Sequence, residues 1–229
     1  MDELYNLAKN DEHGLNRYLA KCFGVMTMGL LVTAIVAYAS YAFGLWRFMY
    51  MNTISFWIVF LVQLGVVIYF SANLHKMSPA MACICYFLYA IITGYTLGSI
   101  GVAYDVTTIG IAFGITAILF VNLIVIGLTT KKDLTKYSTL LFVGLITLLI
   151  ASVIGIFVNL PMLDMIVCYA GIGLFLCLIA YDVQVLRNHY ELCEDESQKT
   201  KMIIYSALEL YLDFINIFLY VLRIVGKRD

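Results

Sequence analysis

Apolar residues run along this chain in long unbroken stretches, not in alternation. A helix needs about 20 apolar residues to cross a hydrocarbon core. Seven segments reach that length, approximately 22–44, 55–74, 80–101, 108–128, 138–160, 165–186 and 202–225. Runs of this kind predict helices, because membrane strands would alternate lipid-facing and inward positions. The two prolines, Pro79 and Pro161, both fall at segment boundaries, so no predicted span loses a backbone donor in its interior. Connections are short, with no low-complexity tract and no detectable repeat. The first apolar run is too long for a signal-peptide core and reads as the first span. The expected architecture is an all-α membrane protein: a single domain over residues 1–229, a seven-transmembrane-helix bundle with a short polar tail at 1–20.

Composition agrees. The chain is 63% apolar and 13% charged, whereas soluble domains carry about 25% charged residues and need them to cover their surface. A formal net charge of −1 leaves no bulk electrostatic attraction for nucleic acid. The six cysteines include no C-x-x-C pair; Cys83 and Cys85 are spaced so that a helix points them apart. They are expected to be free thiols that pack as small hydrophobes. Ten lysines and arginines lie in the N-terminal tail and in the connections after the second, fourth and sixth segments, against Arg47 alone in the others. That asymmetry places the N-terminus in the cytoplasm. Seven full spans would then put Arg223, Lys227 and Arg228 outside, unless the last segment is re-entrant.

Two pairs of glycines, Gly94-x-x-x-Gly98 and Gly110-x-x-x-Gly114, present small faces on which helices can approach closely. Gln63, Asn73, Asn122 and Asn159 are expected to hydrogen-bond between helices. Charged groups inside the membrane carry more information, since a carboxylate at mid-bilayer costs at least about 2.5 kcal/mol. Three acidic residues lie within predicted spans: Asp182 in the sixth, Glu209 and Asp213 in the seventh. In the seventh segment Tyr205, Glu209, Asp213, Asn216 and Tyr220 recur at spacings of four, four, three and four. That spacing aligns them on one face of a helix. A polar stripe of this kind must face other helices or a water-filled cavity, which makes the last helix central. Asp182 lies about one turn from the expected end of the sixth segment, and Asp213 near the middle of the seventh, so the two meet only if the segment ends slip. Where they meet, two carboxyls cannot both ionise easily and are expected to share a proton. Carboxylate and amide oxygens also suit Ca²⁺, with Asp182 and Asp213 as its candidate ligands. No H-E-x-x-H, G-x-S-x-G or phosphate loop is present, nor a Gly-x-Gly-Asp context for an aspartyl protease, so no enzyme and no resident cofactor is expected.

Several stretches give the chain a likeness. They are Ala180-Tyr-Asp-Val-Gln184, Ala207-Leu-Glu-Leu-Tyr-Leu-Asp-Phe-Ile-Asn-Ile-Phe218 followed by Leu222-Arg223, Ser71-Ala-Asn-Leu-His-Lys-Met-Ser78, and Thr130-Lys-Lys-Asp-Leu-Thr135. With these the chain resembles the Bax inhibitor-1, or transmembrane BAX inhibitor motif, family over nearly its whole length. The resemblance implies a seven-helix fold with the last helix enclosed by six others. Bacterial members look like pH-sensitive calcium leak channels in which an aspartate of the sixth span pairs with one of the seventh. Matched here, those are Asp182 and Asp213. Eukaryotic relatives suppress cell death and lower calcium in internal stores. Asn73 departs from the pattern, since many relatives carry an arginine there that latches the sixth-span aspartate; Glu209 adds a carboxylate.

The function expected from all this is a passive, pH-sensitive Ca²⁺ leak of a bacterial plasma membrane. Asp182 and Asp213 would act as the gate, and Glu209, Asn216, Tyr205, Tyr220 and Asn73 would line or support the path. Its partners would be the lipid bilayer and the calcium ion. The alternatives are a regulator acting through protein partners, a protease or a cell-death modulator among them, and a proton-coupled calcium antiporter.

Overall fold

The computed structural model describes residues 2–48, 53–74, 76–130, 132–158, 161–193 and 195–226. Of the residues named above, His75, Lys131, Asn159, Lys227 and Arg228 lie outside this set. Every apolar run folds as a long helix: α1 (Asp2–Ala42), α2 (Thr53–Asn73), α3 (Pro79–Leu97), α4 (Val106–Thr129), α5 (Ser138–Val158), α6 (Pro161–Leu192) and α7 (Glu196–Val225). A single helical turn, Ile100–Ala103, follows α3, and a 3₁₀ turn, Thr135–Tyr137, precedes α5. Among the described residues there is no strand.

The largest departures of the helix ends from the hydropathy boundaries are extensions. The polar tail is not a separate extension but the start of α1, and α6 runs on to Leu192. Hydropathy marks where a helix meets oil; backbone hydrogen bonding propagates past that point until a residue stops it. Stops and starts are local. Gly44, with φ 69°, ends α1 in a left-handed cap. There Leu45 N–H bonds the Ser40 carbonyl at 2.9 Å and Gly44 N–H that of Tyr41 at 3.1 Å, the paired bonds that close a helix of this type. Ser78 caps α3 ahead of Pro79. Asp105 caps α4, its carboxylate accepting from the Thr108 amide at 3.0 Å.

Among the described residues, five helical segments are long and apolar enough by themselves to cross a bilayer: His13–Ala42, Pro79–Ala103, Val106–Thr129, Thr135–Gly155 and Met162–Leu192. Trp57–Asn73 of α2 is a shorter apolar helix. In α7 the apolar side chains Leu210, Tyr211, Phe214, Ile217, Val221 and Leu222 are buried in protein. By contrast Ile118, Val121 and Val125 of α4, and Leu140, Phe142 and Val143 of α5, are exposed, as lipid-facing residues are in a membrane protein.

The chain forms two compact units. One comprises the residues up to Ala103 with Leu186–Tyr211, the other Tyr104–Val185 with the residues from Leu212. In the first, α1 and α3 run parallel and in close contact. A Cβ added at Gly94 would lie 2.7 Å from the Thr33 carbonyl oxygen, and one at Gly98 2.5 Å from Ser40 Cβ. Hydroxyls join the same helices. Tyr86 donates to the Val25 and Met26 carbonyls at 3.0 and 3.3 Å, Thr33 to Ala90 at 3.0 Å, and Ser40 to Tyr95 at 3.1 Å. Gln63 of α2 donates to Thr93 of α3 at 3.3 Å, an interhelical bond of the kind expected. Asn73 and Asn122 instead donate to the carbonyls of Tyr69 and Ile118, one turn back in their own helices, at 3.0 and 2.8 Å. In apolar surroundings the nearest acceptor is the carbonyl four residues earlier. All six cysteines are free thiols.

The hydroxyl oxygens of Thr33 and Tyr211 lie 2.6 Å apart, both side chains buried. Because Thr33 gives its proton to Ala90, Tyr211 donates to Thr33. Interhelical hydrogen bonds in membrane proteins contribute about 0.6 kcal/mol on average and up to about 1.7 kcal/mol. Thr33→Val and Tyr211→Phe are therefore expected to couple by about 0.6–1.7 kcal/mol in a double-mutant cycle of detergent unfolding. Additive losses would remove the bond from the stability of this unit.

Candidate functional site

The second unit brings α6 and α7 together in opposite directions. Phe175 and Tyr220 face each other with ring centroids 6.1 Å apart. The Tyr220 ring occupies the place where a side chain at Gly171 would stand, 2.5 Å from its Cβ. Seven residues further along α6 is Asp182, and seven residues back along α7 is Asp213. The Asp182 carboxyl lies within hydrogen-bonding and Coulombic range of that of Asp213. In the first unit His189 Nδ1 of α6 and Ser206 Oγ of α7 are 3.4 Å apart. Within the second unit, spacing by seven on both helices is the pattern of two helices packed along one seam. It keeps the same face of each helix toward the other over several turns.

This seam removes the difficulty that the two aspartates sit at different depths. α6 does not end near residue 186; it continues about ten residues past Asp182 to Leu192, roughly 15 Å of helix. Asp182 is thus well inside its helix, as Asp213 is inside α7. Asp213 is buried and Asp182 half-buried.

The other residues of the polar stripe divide between the units. Tyr205 stacks on Phe70 at 6.0 Å with rings 17° from parallel, and lies against His189 at 6.4 Å. Glu209 is half-buried in the first unit. Asn216 donates to the Leu212 carbonyl of its own helix at 2.8 Å. The hydroxyl of Tyr220 is within hydrogen-bonding range of Ser152 on α5. Asn73 ends α2, in the first unit. Among the described residues no group of three or more His, Cys, Asp and Glu side chains is placed to hold a metal. Two carboxyls alone fall short of the six to eight oxygens, approximately, that Ca²⁺ takes.

Three residues that pack α6 against its neighbours were not singled out by their spacing. Gln184, two positions after Asp182, bonds the connection between α4 and α5 through both ends of its amide. Its oxygen accepts from the Leu134 amide at 2.9 Å, and its nitrogen donates to the carbonyls of Lys132 at 2.9 Å and Thr130 at 3.3 Å. Gly127 of α4 sits against the same part of α6, where a Cβ would lie 2.9 Å from Val183 Cβ and 3.0 Å from the Ala180 carbonyl oxygen. Gly171 admits Tyr220. An amide side chain within a long apolar run is the one sequence signal that points to Gln184; nothing distinguishes Gly127 or Gly171 from other membrane glycines.

The chain has relatives along its length. Residues 15–229 match the family described as Inhibitor of apoptosis-promoting Bax1. An uncharacterized protein of Borreliella burgdorferi is 40% identical over 215 residues, covering 93% of either chain. Inner membrane protein YbhL of Escherichia coli K12 is 38% identical over 218 residues, covering 94% of this chain and 93% of its own. An uncharacterized membrane protein of Streptococcus pyogenes serotype M3 is 32% identical over 219 residues, covering 94% and 95%.

Proposed function

The chain belongs to the Bax inhibitor-1 family, and from that premise we propose that it is a passive, pH-sensitive Ca²⁺ leak channel with no enzymatic activity, gated by Asp182 and Asp213. The observation that carries this reading is the approach of the two carboxyls on facing helices within the second unit. A shared proton joins them with one negative charge; loss of that proton leaves two like charges side by side, and the repulsion favours separation. A carboxyl pair that opens on deprotonation leaves oxygens able to pass a hard cation.

In this reading all seven long helices belong to one membrane bundle with α7 at its centre, a position that suits the burial of Leu210, Tyr211, Ile217 and Leu222. The N-terminus is cytoplasmic by its lysine and arginine asymmetry, and the membrane is a bacterial plasma membrane, in line with the inner membrane protein YbhL of Escherichia coli. Glu209, Asn216, Tyr205, Tyr220 and Asn73 line or support the path.

The test is Ca²⁺ release from proteoliposomes holding the purified protein, followed from about pH 5 to pH 8, the range in which a coupled carboxyl pair or a histidine changes charge. The expected result is release that depends on pH, runs down the Ca²⁺ gradient with no proton gradient imposed, and loses its pH dependence in Asp182→Asn. Release that requires a proton gradient identifies an antiporter. No release at any pH, with a membrane-protein partner recovered from native membranes, identifies the regulator and removes the channel.

A further inference from the structure

Gln184 makes three hydrogen bonds to one connecting segment. One amide satisfies a backbone N–H and two backbone carbonyls of a segment some 50 residues away in sequence. Thr130 is the residue at which α4 stops, where helix carbonyls lack partners in their own helix. Gly127, one turn earlier, lets the α4 backbone come down onto Ala180 and Val183. The end of α4 and the segment after it are thus seated on residues 180, 183 and 184 of α6, on either side of Asp182.

We propose that Gln184 is a positioning residue that ties the 130–134 segment to the aspartate pair, so that a change at Asp182 and Asp213 is transmitted to this segment. The purpose of such a link rests on the channel reading; the link itself does not. A helix that shifts or turns when the pair separates carries Gln184 with it, because Gln184 lies about half a turn from Asp182 on a rigid element. Three bonds, to backbone groups of Thr130, Lys132 and Leu134, carry these residues with it. The charged groups concerned are few. Among the described residues the charge acting on Asp182 is that of Asp213. By sequence the segment carries Lys131, Lys132 and Asp133, with Lys136 just after it. The Asp133 carboxyl is held below the usual carboxylate range by the Thr135 hydroxyl and amide, with Lys136 adding to the effect. Asp133 therefore stays ionised across neutral pH and cannot itself be the source of a response there.

Hydrogen–deuterium exchange of residues 130–137 in the full-length protein in lipid nanodiscs, corrected for the intrinsic pH dependence of exchange, tests the link without any flux. The wild-type segment is expected to change its protection between acidic and alkaline pH by about fivefold or more, the size of effect that losing a hydrogen bond brings. Asp182→Asn is expected to remove that change. Gln184→Met, which keeps the length and the packing and loses all three bonds, is expected to exchange fast at every pH. Gln184→Glu keeps the acceptor for Leu134 and, when ionised, lacks both donors; it should fall between the two and serves if the methionine variant does not fold. A pH response that persists in both Gln184 variants, or one missing from the wild type, overturns the link. Ca²⁺ release measured on the same samples separates the two ideas: exchange coupling without release keeps the link and discards the channel, and release without exchange coupling does the reverse.

Discussion

Gly94→Leu is expected to lower the stability of the protein by about 3 kcal/mol or more, while Gly110→Leu and Gly114→Leu change it by no more than about 0.5 kcal/mol. All three replace a glycine of a small-x-x-x-small pair with the same side chain. The difference lies in what the first added carbon meets. At Gly94 it would stand 2.7 Å from the Thr33 carbonyl oxygen and 2.8 Å from Val36 Cβ, atoms of the backbone or next to it that no rotamer change can move. α1 and α3 would have to separate, and separation breaks the bonds that Thr33, Ser40 and Tyr86 make across the pair. At Gly110 and Gly114 nothing lies within 4 Å, and a leucine there adds apolar surface to open space. Unfolding in mixed micelles, followed by near-ultraviolet circular dichroism, ranks the three. Equal losses at Gly94 and Gly110 would mean that close helix approach is not what the glycine supplies. Gly98→Leu should resemble Gly94→Leu, since its Cβ would lie 2.5 Å from Ser40 Cβ and Oγ.

These glycines also mark how far the sequence can be read. Length and apolarity predict the long helices, because a run of some 20 apolar residues has few other ways to satisfy its backbone in oil. They do not say which glycine pair carries contact, since Gly94-x-x-x-Gly98 and Gly110-x-x-x-Gly114 have the same spacing and differ only in whether another helix is there. Asn73, Asn122 and Asn216 are a similar case. Their spacing is equally consistent with a partner on another helix, yet each bonds a carbonyl four residues back, a choice made by local reach that sequence cannot display. The polar stripe of α7 is legible because five side chains at helical spacing have one common face. The meeting of Asp182 with Asp213 is less so, because it depends on where α6 ends. Hydropathy cuts that helix near residue 186, and the backbone continues to Leu192. The spacing by seven of Phe175 and Asp182 against Asp213 and Tyr220 is present in the sequence. It is hidden because only one of its two pairs is charged. The grip of Gln184 on residues 130–134 required the path of the connection, which no periodicity encodes.

Substituting either aspartate is expected to flatten the pH dependence of Ca²⁺ release, and substituting both to add nothing further. If wild-type release changes tenfold or more across the range, equivalent to about 1.4 kcal/mol or more between the two protonation states, Asp182→Asn, Asp213→Asn and the double variant should each vary by less than about twofold, within the usual scatter of independent effects. The reason is that the titrating species is the pair. Two carboxyls within hydrogen-bonding range exchange one proton between them, and the proton belongs to neither. An asparagine at either position keeps a hydrogen bond to the remaining carboxyl and abolishes the like-charge repulsion that deprotonation creates. Each single change thus removes the whole response, and nothing is left for the second to remove. Independent sensors would behave otherwise: each single variant would retain part of the pH dependence, and the double variant would lose the sum. The absolute level of release is informative as well. In the asparagine variants one hydrogen bond still joins α6 to α7, so release should remain near the wild-type level at acidic pH. Asp213→Leu removes that bond too, and is expected to hold release near the wild-type alkaline level at every pH. A leucine variant locked at the acidic level would show that the pair keeps the two helices apart, and the assignment of the shared proton to the closed state would fail.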